Sequence, residues 1–278
     1  MIKRVIAPVR IDFGGGTTDI FPFTRDFGGA VLNAAINKYI HGKLIATDKQ
    51  VKLSYYGDLP TSSGLGTSGV MNLVWLALIS NKKNKEELAE EVYKIEQVMG
   101  LIGGKQDQYA AAFGGINFIE VTDKVKVTKL KLSKKIIKEM ENRLVIVYTG
   151  KPHFSGNSNK KSIDNLVRGN NIENLKKIKE IAIEMKEALL EENLNKFSNL
   201  LNEETKYRSR LHKTMVPGYV KKFIEEGLKN GAESAKILGS GNGGSILFFG
   251  DKKKIIRKFG KRAISFKFDF QGLREIRE

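Results

Sequence analysis

Two hydrophobic spacings alternate along this chain and divide it into strands and helices. From Ile2 to Ile11 the run IKRVIAPVRI reads as a strand, and Pro8, which has no N–H to donate, places it at an edge or a bulge. Gly28 to Thr47 and Val51 to Tyr56 repeat the strand signal through alternation and β-branched residues. The period then lengthens. Val70, Leu73, Val74, Ala77 and Leu78 share one helical face, and over Glu86 to Met99 the residues Leu88, Val92, Ile95 and Met99 form a second stripe. After Gly103 and Gly104, KQDQYAAAFGG opens another helix with Asp107 in its first turn.

Ile116 to Leu132 reads as two strands with a turn at Thr122 to Lys124, and LVIVYT, Leu144 to Thr149, as a buried strand. The polar stretch Gly150 to Lys161 is expected to separate a domain of residues 1–150 from one of 151–278, and to serve as a lid to which His153, Ser155 and Asn157 belong. Helical spacing returns over Asn174 to Glu191 and Leu194 to Leu211, an antiparallel pair separated by Asn193, and over Val216 to Asn230. A glycine hairpin, Gly239 to Gly244, joins strands AKIL and SILFF; a helix Lys252 to Lys261 and a strand Ala263 to Phe270 finish the chain. Helices alternating with antiparallel strands make the second half an α+β sandwich.

Composition narrows the chemistry. The 278 residues contain no cysteine, which excludes disulfides and thiolate sites, and only three histidines, at 41, 153 and 212. No apolar run is long enough to span a bilayer and MIKRVIAPVR lacks the centre of a signal peptide, so a soluble, cytoplasmic protein is expected. A net charge of +17 raises the possibility of nucleic-acid binding. Its distribution argues against that: residues 1–115 hold 13 Lys and Arg against 11 acids, and residues 116–278 hold 35 against 20, mostly Lys interleaved with Glu along helices.

The candidate chemistry lies in LPTSSGLGTSGVMN, Leu59 to Asn72, a hydroxyl-rich loop running into a helix. Gly64, Gly66 and Gly69 remove Cβ atoms, so that backbone N–H groups at the helix start can point at an anion with the positive end of the helix dipole behind them. Ser62, Ser63, Leu65, Thr67 and Ser68 complete this phosphate cradle, the hydroxyls donating to phosphate or ligating a hydrated cation. Val70 follows the last glycine where a Walker loop needs Lys, and the acidic strand end of a dinucleotide fingerprint is missing.

LPTSSGLGTSG resembles the second signature of the GHMP small-molecule kinases. APVRIDFGGGTTD, Ala7 to Asp19, is similar to the family's first signature and AKILGSGNGGSILFF, Ala235 to Phe249, to its third; GGKQDQYAAAFGG, Gly103 to Gly115, resembles the segment bearing the catalytic Asp in its sugar kinases, especially those related to D-glycero-D-manno-heptose 7-phosphate kinase and galactokinase. The resemblance covers essentially the whole chain. It implies a two-lobed α+β fold, with a ribosomal protein S5 domain 2-like N-terminal lobe and a ferredoxin-like C-terminal α/β sandwich. It also implies an ATP- and Mg²⁺-dependent kinase acting on a hydroxyl of a sugar or sugar phosphate, as a monomer or homodimer.

By that resemblance Asp107 is the catalytic base and Arg10 lies near the reacting hydroxyl, while Ser68 and Glu96 hold Mg²⁺. Gly15, Gly16, Thr18, Asp19, Gln108 and Gly241 fall to the acceptor. A carboxylate suits the first role because the acceptor hydroxyl must lose its proton as the bond to phosphorus forms; Arg10 or Lys105 would offset its charge. The competing readings are a structural ion pair for Arg10, a helix cap for Asp19, a solvated helix Glu for Glu96, and core packing for Tyr55 and Tyr56, which otherwise flank an adenine. Arg25, Lys105, Lys151 and His153 are candidate contacts to an acceptor phosphate. Alternative acceptors within the family are of mevalonate, homoserine or pantoate type, and the rival from another class is a non-catalytic nucleic-acid-binding protein.

Overall fold

The computed structural model describes the chain apart from positions 61, 83, 153–162, 167–169, 240 and 277–278. Its first sheet is built on β1 (Ile2–Gly14) and β2 (Gly29–Ala46), paired antiparallel along most of their length. The eighteen residues of β2 let its first part pair with β4 (Ile116–Val121) and its second with β3 (Val51–Gly57). With β5 (Val125–Lys129) and β10 (Arg274–Glu275) the order becomes β10–β1–β2–β4–β5, β3 lying off this path. The register shifts between Pro8 and Arg10, which is the bulge that Pro8 demands.

Three helices cover this sheet next to the glycine loop. α2 (Thr67–Ile79) and α4 (Gln106–Phe113) pack on β1 and β2, and α3 (Lys85–Val98) packs on both helices. α3 begins where Asn84 accepts the amides of Glu86 and Glu87, an N-cap that satisfies two otherwise orphaned donors. The short α1 (Phe23–Phe27) follows the loop that leaves β1.

A second sheet has the order β7–β8–β6–β9, from β6 (Leu144–Tyr148), β7 (Ala232–Ile237), β8 (Ser245–Gly250) and β9 (Ala263–Ile264). Side chains alternate between its faces. Ile146, Leu247 and Phe249 join a core with Phe13 and Phe197, whereas Val145, Val147, Ile246 and Phe248 join another with Val220, Ile255 and Phe259. Both faces being covered, these strands read as continuous apolar runs, and each large side chain so buried contributes about 1.5–3 kcal/mol. α6 (Ile172–Leu190) packs on β1 and β2, and α7 (Leu194–Leu211) on α6, β1 and β7, so this helix pair joins the two sheets. α8 (Gly218–Lys229) packs on β7, and α9 (Lys252–Phe259) and α5 (Lys134–Arg143) on β6 and β8.

The mixed two-sheet architecture is the expected α+β class, with differences at the C-terminal end. Ala263 to Phe270 is not one strand: β9 pairs with β6 over two residues, after which the chain crosses to the first sheet. There Phe268 bridges Ile36, the Asn37 amide donates to the Lys267 carbonyl, the Asp269 amide donates to the Ala35 carbonyl, and β10 pairs with β1. A segment whose hydrogen bonds are shared between two sheets cannot extend either ladder for long. The sheets therefore do not divide the chain at residue 150, since β6 precedes it and β10 follows it. The third helix of the second half begins at Gly218, because Pro217 occupies the N-cap. The expected lid residues His153, Ser155 and Asn157 lie outside the described residues. Among the described residues, no helix is long and apolar enough to cross a membrane.

Candidate active site

Three segments distant in sequence converge at the start of α2. The loop before it turns through left-handed backbone at Ser62, Gly64 and Gly66. Gly66 is the N-cap and no side chain caps the helix, so the first-turn amides of Thr67, Ser68 and Gly69 are left for another acceptor. Ser63 and Gly64 lie backbone to backbone on the glycine hairpin: a Cβ on Gly64 would stand 3.0 Å from the Leu238 carbonyl oxygen, and one on Gly244 would stand 2.7 Å from that of Ser63. The glycines of the second and third signatures thus permit the two loops to touch. Gly241, with φ 79°, sits where a Cβ would overlap the Met215 carbonyl.

Arg10, on β1 just past the bulge, is 4% exposed, and its Nε and one terminal nitrogen each lie 2.8 Å from Asp107 Oδ1. Its other terminal nitrogen donates to the Gly64 carbonyl at 2.8 Å and its amide to the Leu65 carbonyl. The ion pair that competed as a reading for Arg10 is therefore present, and it joins the glycine loop to Asp107. Asp107, in the first turn of α4, stays 29% exposed. It stands against the loop so closely that a Cβ on Gly66 would be 3.0 Å from its Cγ, and one on Gly69 3.0 Å from its Cβ. Lys105 does not join this group; its Nζ pairs with Glu90 at 2.8 Å over the Tyr93 ring.

Glu96 approaches the same loop from α3. It is 8% exposed, and its Oε1 accepts from the Asn72 side-chain Nδ2 at 2.8 Å and would lie 3.7 Å from a Cβ on Gly69. Burial raises its carboxyl to about 7, the Asn72 bond opposing and the Asp107 charge adding to the shift. This is not a solvated helix Glu. A desolvated carboxylate on an uncapped helix start beside a second carboxylate fits a hydrated divalent cation, whose charge would replace the proton. Exposed Ser68 is the neighbouring hydroxyl. Among the described residues no three His, Asp or Glu side chains gather into a fuller metal site.

Beside these groups an apolar pocket of about 310 Å³ is lined by Tyr55, Met71, Asn72, Trp75, Ile95 and Met99. Tyr55 lines it, whereas Tyr56 is exposed and stacks on His41 at 4.2 Å.

The loop leaving β1 lies on the other side of Asp107. Asp19 is buried, its Oδ2 accepting the Gln106 amide at 3.0 Å, so it caps α4 from a distance. A Cβ on Gly104 would overlap that carboxylate. Its Oδ1 is buried with no partner, as are Gln106 Oε1 and Gln108 Oε1. Burial pushes its carboxyl up to about 6 against the Gln106 bond, with Asp107 and Asp12 adding to the shift. Thr18 Oγ1 donates to the Gly15 carbonyl, and Gly15 itself packs where a Cβ would overlap the Ala30 carbonyl. Arg25 is exposed and paired with Asp26, and Lys151 lies over the Tyr219 ring.

Sequence reasoning missed a set of buried charges beneath this loop. Asp12, Glu204, Arg208 and Lys236 are each 0% exposed. Lys236 Nζ lies 3.1 Å from Asp12 Oδ2 and 3.6 Å from Glu204 Oε1, and Arg208 lies 2.5 Å from Glu204 Oε1. Burial alone would raise the Asp12 carboxyl, but Lys236, Arg208 and Arg10 hold it below its ordinary range. The signal was present in α7: Phe197, Leu201, Glu204, Arg208 and Leu211 continue one helical stripe, which places the Glu and the Arg on the buried face.

Residues 30–115 match the GHMP kinases N terminal domain. The chain is 28% identical to D-glycero-alpha-D-manno-heptose 7-phosphate kinase of Campylobacter jejuni, over 99% of this chain and 98% of that protein. Its structure is similar to that of a D-glycero-D-manno-heptose 1-phosphate kinase from Bacteriodes thetaiotaomicron (TM-score 0.79, 26% identity, 100% of this chain and 99% of the other). It also shares the fold of Lactococcus lactis galactokinase complexed with galactose (TM-score 0.73, 18% identity, 100% and 95%). The chain accordingly carries a GHMP kinase N-terminal domain within a GHMP kinase fold that runs its whole length, the fold of the small-molecule kinases its motifs resemble.

Proposed function

We propose that this protein is an ATP-dependent kinase that phosphorylates a hydroxyl of a sugar phosphate, with a heptose phosphate as the first candidate acceptor. The observation that carries the reading is the Asp107 carboxylate, held by Arg10 against the glycine loop at the uncapped start of α2. The names of the heptose-phosphate kinases it resembles support the acceptor class. The residues of one chain supply every group this reading uses, so a monomer or a homodimer serves equally. A cytoplasmic location, where ATP is available, belongs to the same reading.

In this mechanism the amides of residues 62–69 and the hydroxyls of Ser62, Ser63, Thr67 and Ser68 cradle the triphosphate, and the adenine enters the pocket between Tyr55 and Trp75. Ser68 and Glu96 would hold Mg²⁺, which when bound offsets charge on the phosphate oxygens. Gly15, Gly16, Thr18, Asp19, Gln108 and Gly241 surround the acceptor; the unpartnered Asp19 Oδ1 and Gln108 Oε1 are acceptors for sugar hydroxyls. Asp107 takes the proton of the reacting hydroxyl as its oxygen bonds to the γ-phosphorus. The bond from that phosphorus to the bridging oxygen breaks, and ADP leaves with the electron pair. Arg10 orients Asp107 and places positive charge beside the transferring group.

The test is ATP consumption against a panel of free and phosphorylated hexoses and heptoses, with mevalonate, homoserine and pantoate alongside. Strong stimulation by a phosphorylated sugar is expected. Stimulation by none of the sugars, or only by a non-sugar acceptor, would overturn the acceptor assignment.

A further inference from the structure

The buried charges beneath the acceptor loop are arranged for more than neutrality. They come from both sheets and from the helix between them: Asp12 from β1, Lys236 from β7, and Glu204 and Arg208 one turn apart on α7. Two carboxylates balance two cations with no side-chain exposure, an arrangement that burial alone disfavours and that hydrophobic residues of the same size could replace. What such residues could not replace is the fork of Arg208. One of its terminal nitrogens donates to the Gly16 carbonyl at 2.9 Å and the other to Thr17 Oγ1 at 3.3 Å, while Nε donates to Glu204 at 2.9 Å.

Those two contacts fall on the loop between β1 and Asp19. Thr17 adopts φ 79°, a left-handed conformation that a β-branched residue holds only when its surroundings fix it. Gly16 is enclosed as tightly: a Cβ there would stand 2.5 Å from Asp12 Oδ2, 3.1 Å from Gln106 Nε2 and 3.3 Å from the Arg208 guanidinium. The loop's own hydrogen bonds, from the Thr18 amide to Gly15 and the Ile20 amide to Thr17, span the same residues.

We propose that Arg208, clamped by Glu204 and through Lys236 by Asp12, is a positioning residue that fixes the Gly15–Asp19 loop and thereby sets acceptor affinity and alignment without touching the acceptor. The inference rests on the reading above in assigning that loop to the acceptor. It adds that the acceptor's geometry is set from the second sheet and α7. Losing this clamp should affect the acceptor and spare the nucleotide, since the glycine loop and the Trp75 pocket draw on other contacts.

Arg208→Lys tests this, because Lys keeps the charge and loses the fork. Three measurements on the folded variant are compared with the parent: acceptor KM and kcat, ATP affinity from Trp75 emission, and hydrogen exchange of the peptide carrying Thr18 and Ile20. A displaced loop is expected to raise acceptor KM or lower kcat by about 10²-fold in all, the loss typical of a displacement near 1 Å. ATP affinity should hold within about twofold, and exchange at Thr18 and Ile20 should quicken at least tenfold. Unchanged acceptor kinetics with unchanged exchange would overturn the proposal, as would an equal loss of ATP affinity. If the parent phosphorylates no acceptor in the panel, the functional reading fails by itself, and exchange alone decides whether Arg208 fixes the loop. If Arg208→Lys does not fold, Thr17→Val, which removes one arm of the clamp and leaves the ion pairs intact, carries the same measurements with the same expected directions.

Discussion

Arg10 directs two of its nitrogens, each at 2.8 Å, to a single oxygen of Asp107, Oδ1, and the other oxygen, Oδ2, stands beside Gly66, 3.2 Å from where a Cβ would be. The guanidinium thereby fixes the rotation of the carboxylate. It presents Oδ2 to the loop that the sequence marks as a phosphate cradle, and the same guanidinium holds that loop through the Gly64 carbonyl.

Gly66 is where this arrangement tolerates least. Its φ of 75° suits glycine, and an added Cβ would press on the Asp107 carboxyl carbon at 3.0 Å. Gly66→Ala should lower stability by about 1–2 kcal/mol from the left-handed backbone alone. Displacing the carboxylate should lower turnover by a further about 10²-fold. Thermal unfolding and kcat measured on the same preparation check both.

Glu96 gives the protein a pH signature. Its carboxyl rises from an ordinary 4.5 to about 7 on folding, so between those values the folded state holds a proton that the unfolded state has released. This contribution to stability is complete below about 4.5, is lost as pH climbs, and is gone above about 7. The melting temperature of the ligand-free parent should therefore fall between about pH 5 and 7 relative to Glu96→Gln. Stabilisation by Mg²⁺ with ATP, which competes with that proton, should grow over the same interval in the parent, and that growth with pH should be absent in the variant.

Trp75, the one tryptophan in the chain, lines the pocket assigned to adenine with Tyr55. ATP should change its emission in a saturable way. Tyr55→Ala should raise ATP KM by up to about tenfold, the worth of an aromatic contact of about 0.5–1.5 kcal/mol, while acceptor KM stays put. Steady-state titration of each substrate separates the two.

Much of this was legible in the sequence, and the exceptions share a cause. The bulge at Pro8 and the glycine turn into α2 follow from a missing N–H and from residues without Cβ atoms; the stripe expected on α3 holds at Leu88 and Val92, but Met99 is exposed and Ala89 and Glu96 complete the buried face. Distances across the fold were not legible. Asp19 was read as a hydroxyl-binding carboxylate with a cap as the alternative, and the structure gives one oxygen to the α4 cap and leaves the other unpartnered. Glu204 and Arg208 sit in a helix dense with Lys and Glu, where a buried ion pair looks like a solvated one unless the stripe is followed past its last leucine. The strand expected over Ala263 to Phe270 failed because apolar alternation records burial but not which sheet receives each hydrogen bond.

The most direct test of the central claim is Asp107→Asn, with nucleotide binding followed by Trp75 emission and phosphoryl transfer followed in a single turnover. Asn keeps the size of the side chain and removes its capacity to take a proton, so ATP affinity should be retained while transfer slows by about 10²–10⁴-fold. Transfer within a few fold of the parent rate would contradict the account, because the carboxylate that Arg10 holds against the glycine loop would then have no part in the chemistry.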